Sequence, residues 1–364
     1  MTALESHQLE RPDATIHYWS GGRPDATTVV LLHGATLDHH AWDPQVDALL
    51  NRFQLVAPDL RAHGESTGTF TFAAAVDDTL ALLEALPARR VVLVGLSLGA
   101  NIAQAVVRRR PDLAHALVVA DATCNTAVRH PLAVPMTVGL LNSQAMLPGD
   151  TFARHAANRT ALDPDVRSYA FAVNAHRSNG ETVAILASLL TGALHPDPEY
   201  RTPVPLLLVH GEHDHVGDIA ADTAAWARRE PLGESAVIPQ AGHASNLDNP
   251  EAFTTVLLEF LERVVPPLEL VAAARLPTDR PTTGRRGDAV ASPGCSARGR
   301  PDRRGGGADH QSGSEPAGDP LGPARPATGS GAVPRSASSR GQGCRPCAGG
   351  SSRSTTSDPH RAPS

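Results

Sequence analysis

Gly95-Leu96-Ser97-Leu98-Gly99 follows an apolar run, Val91-Val92-Leu93-Val94, and precedes a helix-compatible stretch over residues 100–109. The order reads as strand, sharp turn and helix, with a serine at the apex. A nucleophile on such a turn sits in a strained backbone. Its neighbours two residues away must be small, which the glycines supply. The turn lifts the hydroxyl above the sheet. It also sets it at a helix N-terminus, whose free N–H groups and partial positive charge favour a developing anion. Gly-x-Ser-x-Gly is common by chance; the flanking strand and helix patterns give it weight.

Working outward, Thr28–Leu32, residues 53–57, Val91–Leu96, residues 116–120 and residues 206–210 are short apolar or β-branched runs. Such runs fit strands buried on both faces. Residues 72–86 place Val76, Leu80, Leu83 and Leu86 at helical steps. Pro250–Val264 does the same, with a proline in its first turn. Strands separated by helices predict a mainly parallel sheet covered on both sides. Two short strands lead the chain, at 7–10 and 15–19, and Gly21-Gly22 with Arg23-Pro24-Asp25 reads as the turn after them. From about 124 to 202 the alternation stops. Helical stretches at 132–147, 151–162, 165–176 and 181–190 read as a helical insertion.

Composition changes sharply near residue 271. Residues 1–270 carry 18 Arg against 31 Asp and Glu, net −13, whereas 271–364 carry 14 Arg against 7, net +7. The overall −6 hides two oppositely charged halves, and there is no lysine in the chain. The front part is long enough for one sizeable α/β core. The tail is rich in Gly, Pro, Ser, Arg and Ala; it has too little apolar surface to offset ordering entropy and reads as disordered. Its bias is what GC-rich DNA encodes in almost any frame, which makes it out-of-frame or read-through sequence in this reading. No Phe, Trp or Tyr follows Val271 to stack bases, so the basic charge is not taken as a nucleic-acid site. Cys344 and Cys347 form a CxxC without a second pair, so zinc is not expected there. Cys124 lies alone in the front part, which leaves no disulfide framework. With no signal-peptide pattern and no run of membrane-spanning length, the expectation is a cytoplasmic protein without membrane partners. Nothing in the sequence selects an oligomeric state.

Sites in open α/β sheets gather at the carboxyl ends of the strands. Ser97 is one such group, and its hydroxyl needs an adjacent base. Asp214, after the 206–210 strand, could orient and charge-stabilise an imidazole, with Glu212 and Asp218 as competing acids. His243 lies in a Gly-His loop between the last strand and the last helix, where it could take the Ser97 proton and return it. His33-Gly34-Ala35 ends the Thr28–Leu32 strand; the N–H of Ala35 with that of Leu98 could form an oxyanion hole. His33 then ties loops together, and Arg61 and His63 pin the 59–66 loop. The dense His210, His213, Asp214, His215 group matches no common zinc spacing, so no metal and no cofactor are expected.

Together these residues resemble the α/β-hydrolase fold family. The resemblance rests on His33-Gly34, Asp59-Leu60-Arg61-Ala62-His63-Gly64-Glu65-Ser66, Gly95-Leu96-Ser97-Leu98-Gly99, Asp214 and Gly242-His243, in the family's Ser, Asp, His order. It covers about residues 6–265. It implies a triad of Ser97, His243 and Asp214, and a lid inserted after the strand ending near Asp121. The short His-Gly-x-x loop and the Arg-x-His-Gly-x-Ser segment look most like small-molecule esterases and lactonases, including the 3-oxoadipate enol-lactonase-like group. Ala100 stands where a further glycine is often seen. A serine at the elbow sets the chain apart from dehalogenases and epoxide hydrolases of this fold, which use aspartate.

The expectation is therefore an α/β-hydrolase domain at 1–270, with a lid at about 124–202 and a tail at 271–364. It would be a serine hydrolase acting on an ester, lactone or related acyl bond of a small molecule. Alternatives are a ligand-binding or sensor protein on the same fold, an acyltransferase, or a C–C bond hydrolase. Lid residues Met136, Leu140, Met146, Phe152, Tyr169 and Phe171 would offer apolar contacts. Truncation at about residue 270 should leave solubility intact, as read by size-exclusion chromatography; an aggregated product would give the tail a structural role.

Overall fold

The computed structural model describes residues 4–265. The expectations for the 271–364 tail lie outside that range. Eight strands form one sheet: β1 (Glu5–Arg11), β2 (Ala14–Gly22), β3 (Thr28–Leu32), β4 (Gln54–Pro58), β5 (Val91–Leu96), β6 (Ala114–Ala120), β7 (Leu206–Gly211) and β8 (Gly233–Ile238). Their order is β1-β2-β4-β3-β5-β6-β7-β8. β1 and β2 are antiparallel, β2 runs antiparallel to β4, and every later pairing is parallel.

Strand alternation splits the core between the two faces. Val30, Leu32, Val91, Leu93, Leu117, Val119, Leu206 and Leu208 pack on one side. α2 (Phe72–Ala85), α3 (Leu98–Arg109) and α8 (Ile219–Arg229) cover them, through residues such as Val76, Val106 and Trp226. Val29, Leu31, Val92, Val94, Val118, Leu207 and Val209 pack on the other. There α1 (Asp43–Leu50) and α10 (Pro250–Val264) supply Leu49, Phe253, Leu257 and Phe260. The inner strands are apolar on consecutive residues because both faces are covered.

Four helices fill the interval between β6 and β7: α4 (Ala133–Ala145), α5 (Thr151–Thr160), α6 (Pro164–Asn174) and α7 (Asn179–Gly192). Caps set boundaries that hydropathy alone misses. The Asp163 carboxylate accepts from Asp165 N and Val166 N and starts α6 at a proline. A capping box between Ser178 and Glu181 starts α7 at Asn179, earlier than its apolar pattern suggests. The expected turn over 21–25 is made by Arg23-Pro24-Asp25, closed by Ala26 N donating to the Arg23 carbonyl at 3.0 Å, and not by the Gly21-Gly22 pair. That pair extends β2, pairing with Leu55 and Gln54 of β4. Met136, Leu140 and Met146 point to solvent, at 70%, 59% and 86% exposed, rather than into a pocket. Residues 131–147 hold no charge. α4 mixes apolar residues with the uncharged polar Thr137, Asn142, Ser143 and Gln144, and packing against α7 covers only part of it. Among the described residues no helix is long and apolar enough to cross a membrane.

Under the site, the β4 loop is held by a buried ion pair. Arg61 Nε and Nη2 donate to the two Asp78 carboxylate oxygens of α2 at 2.7 and 2.9 Å, and Arg11 Nε donates at 2.9 Å. Arg61 and Asp78 are both buried. Asp78→Ala would leave the buried Arg61 with only the exposed Asp13 carboxylate, 2.9 Å from its Nη1, and should cost roughly 3–5 kcal/mol in denaturant unfolding; a loss below about 1 kcal/mol would refute this role.

Candidate active site

The elbow forms because the backbone can pack where side chains could not. A Cβ on Gly95 would lie 2.4 Å from Ala100 N, and one on Gly99 would lie 2.2 Å from the Leu32 carbonyl oxygen. With both positions bare, α3 closes directly on β3 and β5. Ser97 is left at φ 49°, ψ −111°, a conformation unusual for any residue with a side chain. Its N–H is held by the Ala120 carbonyl at 2.8 Å. Ser97 remains partly exposed while Leu96 and Leu98 are buried.

The structure brings Ser97, His243 and Asp214 together. Ser97 Oγ is 2.9 Å from His243 Nε2, and His243 Nδ1 is 3.0 Å from Asp214 Oδ2. An ionised Asp214 can only accept, so Nδ1 carries the proton and Nε2 offers its lone pair to the serine hydroxyl. The imidazole is 13% exposed and the Asp214 carboxylate is fully buried. Val216 N donates to Asp214 Oδ1 at 2.8 Å and fixes its rotation. The competing acid Glu212 instead accepts from Gln240 N, and Asp218 is the residue before α8.

Ala35 follows β3, and Leu98, the residue after Ser97, starts α3. Their N–H groups donate to no protein acceptor among the described residues. His33 sets the first of these turns. Its Nδ1–H donates to the Gly34 carbonyl at 2.8 Å, and its Nε2 accepts from Leu60 N at 2.9 Å. That links the β3 and β4 loops, the structural role expected for it. His63 is buried beside it, with Nδ1 at 2.9 Å from the Arg61 carbonyl.

Two residues that the sequence reading passed over organise the site from behind. Asp121, directly after β6, is 0% exposed. One oxygen accepts from Gly211 N at 2.8 Å; the other accepts from Ser245 N at 3.2 Å and Ser245 Oγ at 2.5 Å. It therefore clamps both loops, the one bearing Asp214 and the one bearing His243. The signal was available: an acid leaving the carboxyl end of a buried strand. Asp248, in the four-residue helix α9 (Ser245–Asp248), accepts from Gly242 N at 2.7 Å and from Leu162 N and Asp163 N at 2.9 Å. Ala244 N donates to the Thr160 carbonyl at 2.7 Å. The residues flanking His243 are thus stitched to the helical insertion. No sequence spacing announces such a contact.

Charges around the imidazole compete. Burial pushes its pKa down. The hydrogen bond and charge of Asp214, with the charge of Asp121, outweigh burial and the opposing Arg159, leaving it above the ordinary 6.5. For Asp121, burial dominates; His243 opposes it and Asp214 reinforces it, and the carboxyl is raised to about 7. His210 stays in β7, with its pKa lowered by burial. Among the described residues no three His, Cys, Asp or Glu side chains are grouped to hold a metal ion.

Comparison with known proteins agrees with this architecture. Residues 29–256 match the model of the alpha/beta hydrolase family. Protein ABHD8 of Bos taurus is 27% identical over 70% of this chain and 62% of its own length. The chain thus spans about three fifths of the mammalian proteins it matches. The 2-(acetamidomethylene)succinate hydrolase of Mesorhizobium japonicum is 28% identical, over 64% of this chain and 87% of its own. Among solved structures, a thermophilic esterase from Thermogutta terrifontis, malate bound, superposes with a TM-score of 0.61 at 26% identity. That match covers 72% of this chain and all of the esterase.

The electrostatics around His243 can be read directly. An NMR titration of its imidazole should give a midpoint above 6.5, and Asp121→Asn should lower it by removing one of two favourable charges. An unchanged midpoint in that variant would confine Asp121 to holding the backbone.

Proposed function

This chain belongs to the alpha/beta hydrolase family, and from that premise we propose that it is a serine hydrolase cleaving an ester, lactone or related acyl bond of a small molecule. The observation that carries the reading is the unbroken relay from Ser97 Oγ through His243 to Asp214. Its geometry suits a histidine that takes the serine proton while the carboxylate holds the ring.

Ser97 Oγ attacks the substrate carbonyl as its proton passes to His243 Nε2. Asp214 holds the imidazolium that forms. The tetrahedral oxyanion takes hydrogen bonds from Ala35 N–H and Leu98 N–H, with the α3 dipole behind the second. Collapse breaks the bond to the leaving oxygen, which takes the proton from His243. Water then adds to the acyl-enzyme, giving its proton to the same nitrogen, and the acid leaves as Ser97 is restored. Because the base must be neutral, kcat/KM rises with pH through the His243 midpoint. The raised pKa puts that limb above 6.5. The insertion between β6 and β7 acts as the lid and walls the substrate.

The two relatives named above as an esterase and as a hydrolase of a succinate derivative support this reading. Ser97→Ala should lower kcat on an accepted ester by about 10⁴-fold or more. A fluorophosphonate probe should label Ser97, located by peptide mass spectrometry. Absence of labelling in the folded protein would favour a binding protein on the same fold.

A further inference from the structure

Arg159 occupies the last turn of α5, where the insertion meets the two loops that carry Asp214 and His243. Its backbone neighbour Thr160 accepts from Ala244 N, and its own Nη2 donates to the His215 carbonyl at 2.8 Å. The guanidinium is therefore held by the residue after Asp214, while the end of its helix is held by the residue after His243. It makes no ion pair among the described residues, and Nε and Nη1 have no protein acceptor there. Its neighbour on the same helix, Arg154, is matched by Asp150 at 2.6 Å. Arg159 is exposed, so an incoming ligand can reach it.

A cation at this place is costly for the proposed chemistry. The relay gains charge on His243 during attack, and a neighbouring guanidinium opposes that. Asp214 and Asp121 favour the imidazolium; Arg159 is the cation set against them. An anion bound to Arg159 would cancel the opposing charge while the substrate is present. The free Nε and Nη1 donors suit a carboxylate, which accepts two parallel N–H bonds from a guanidinium fork.

We propose that Arg159 forms a carboxylate subsite beside the candidate triad, so that the favoured substrate is an acyl compound with a free carboxylate a few atoms from its scissile carbonyl. This rests on the serine-hydrolase reading above and narrows its substrate class. The carboxylate anchors at the rim, placing the carbonyl at Ser97. Bound there, it also removes the charge that holds back proton transfer to His243. Both effects fade with ionic strength because the cation is exposed.

The test uses the full chain and monoethyl esters of succinate, glutarate and adipate. Each is compared with its uncharged isostere, in which an isopropyl group replaces the carboxylate; ethyl 5-methylhexanoate is the partner for glutarate. Hydrolysis is followed by pH-stat. At least one charged ester should exceed its isostere about tenfold in kcat/KM at low salt. The advantage should shrink in 0.5 M NaCl, a salt level at which exposed charges are strongly screened on the order of the Debye length. Arg159→Gln should erase it while turnover of the uncharged series stays at or above the wild-type level; Arg159→Lys should keep part of it. Turnover of the uncharged esters by the wild type tests the hydrolase reading on its own. Equal rates on the two series, or a preference that survives Arg159→Gln, would overturn the subsite.

Discussion

The fold turns on the close approach of α3 to the carbonyl ends of β3 and β5. Gly99 lets the first turn of α3 rest on the Leu32 and His33 carbonyls, and Gly95 lets the strand pass under Ala100. Side chains at either position would push the helix away from the sheet. The helix then could not bury Ala100, Ala103 and Val107 against the core. Ser97 takes its strained conformation as a consequence of that contact. The backbone around it is over-determined by packing on both sides, so the strain persists.

That strain is not isolated. Among the described residues five non-glycines have positive φ: Thr36, Ala62, Ser97, Asp121 and Gln240. All five lie in loops leaving the carboxyl ends of β3, β4, β5, β6 and β8. None lies at the amino ends. Each costs on the order of 1 kcal/mol or more, and each turns a chain end sharply beside the same small region. The core below is made of fully covered apolar strands and tolerates that cost. The buried acids repeat the pattern. Asp59, Asp121 and Asp214 all leave strand ends, and each carboxylate accepts backbone N–H bonds that fix a loop.

What could be read from the sequence follows from this layout. Apolar strand runs, glycines at a forbidden contact and the Ser, Asp, His order are local features, and they give the parallel sheet and the meeting of Ser97, Asp214 and His243. Contacts made by backbone groups leave no such trace. Asp248 reaches Gly242, Leu162 and Asp163 through N–H groups that every residue carries. The outward face of α4 is also hidden, because a helix with no charged residue and apolar groups on more than one side does not say which side it buries. Gly21 and Gly22 read as part of a turn, yet they pair with β4 at the end of β2, and the chain turns only beyond them.

Seen from His243, these separate devices act on one proton. The ring is nearly buried, which by itself would favour the neutral form. Asp214 reverses that through a direct hydrogen bond, and Asp121 adds charge from behind a clamp that also fixes both loops. Arg159 pulls the other way, from an element that belongs to neither loop. The opposing cation moves the balance back toward the neutral imidazole in the free protein. The insertion therefore bears on the same proton: through Thr160, Leu162 and Asp163 it fixes the histidine loop, and through Arg159 it adds a smaller charge that opposes the two acids.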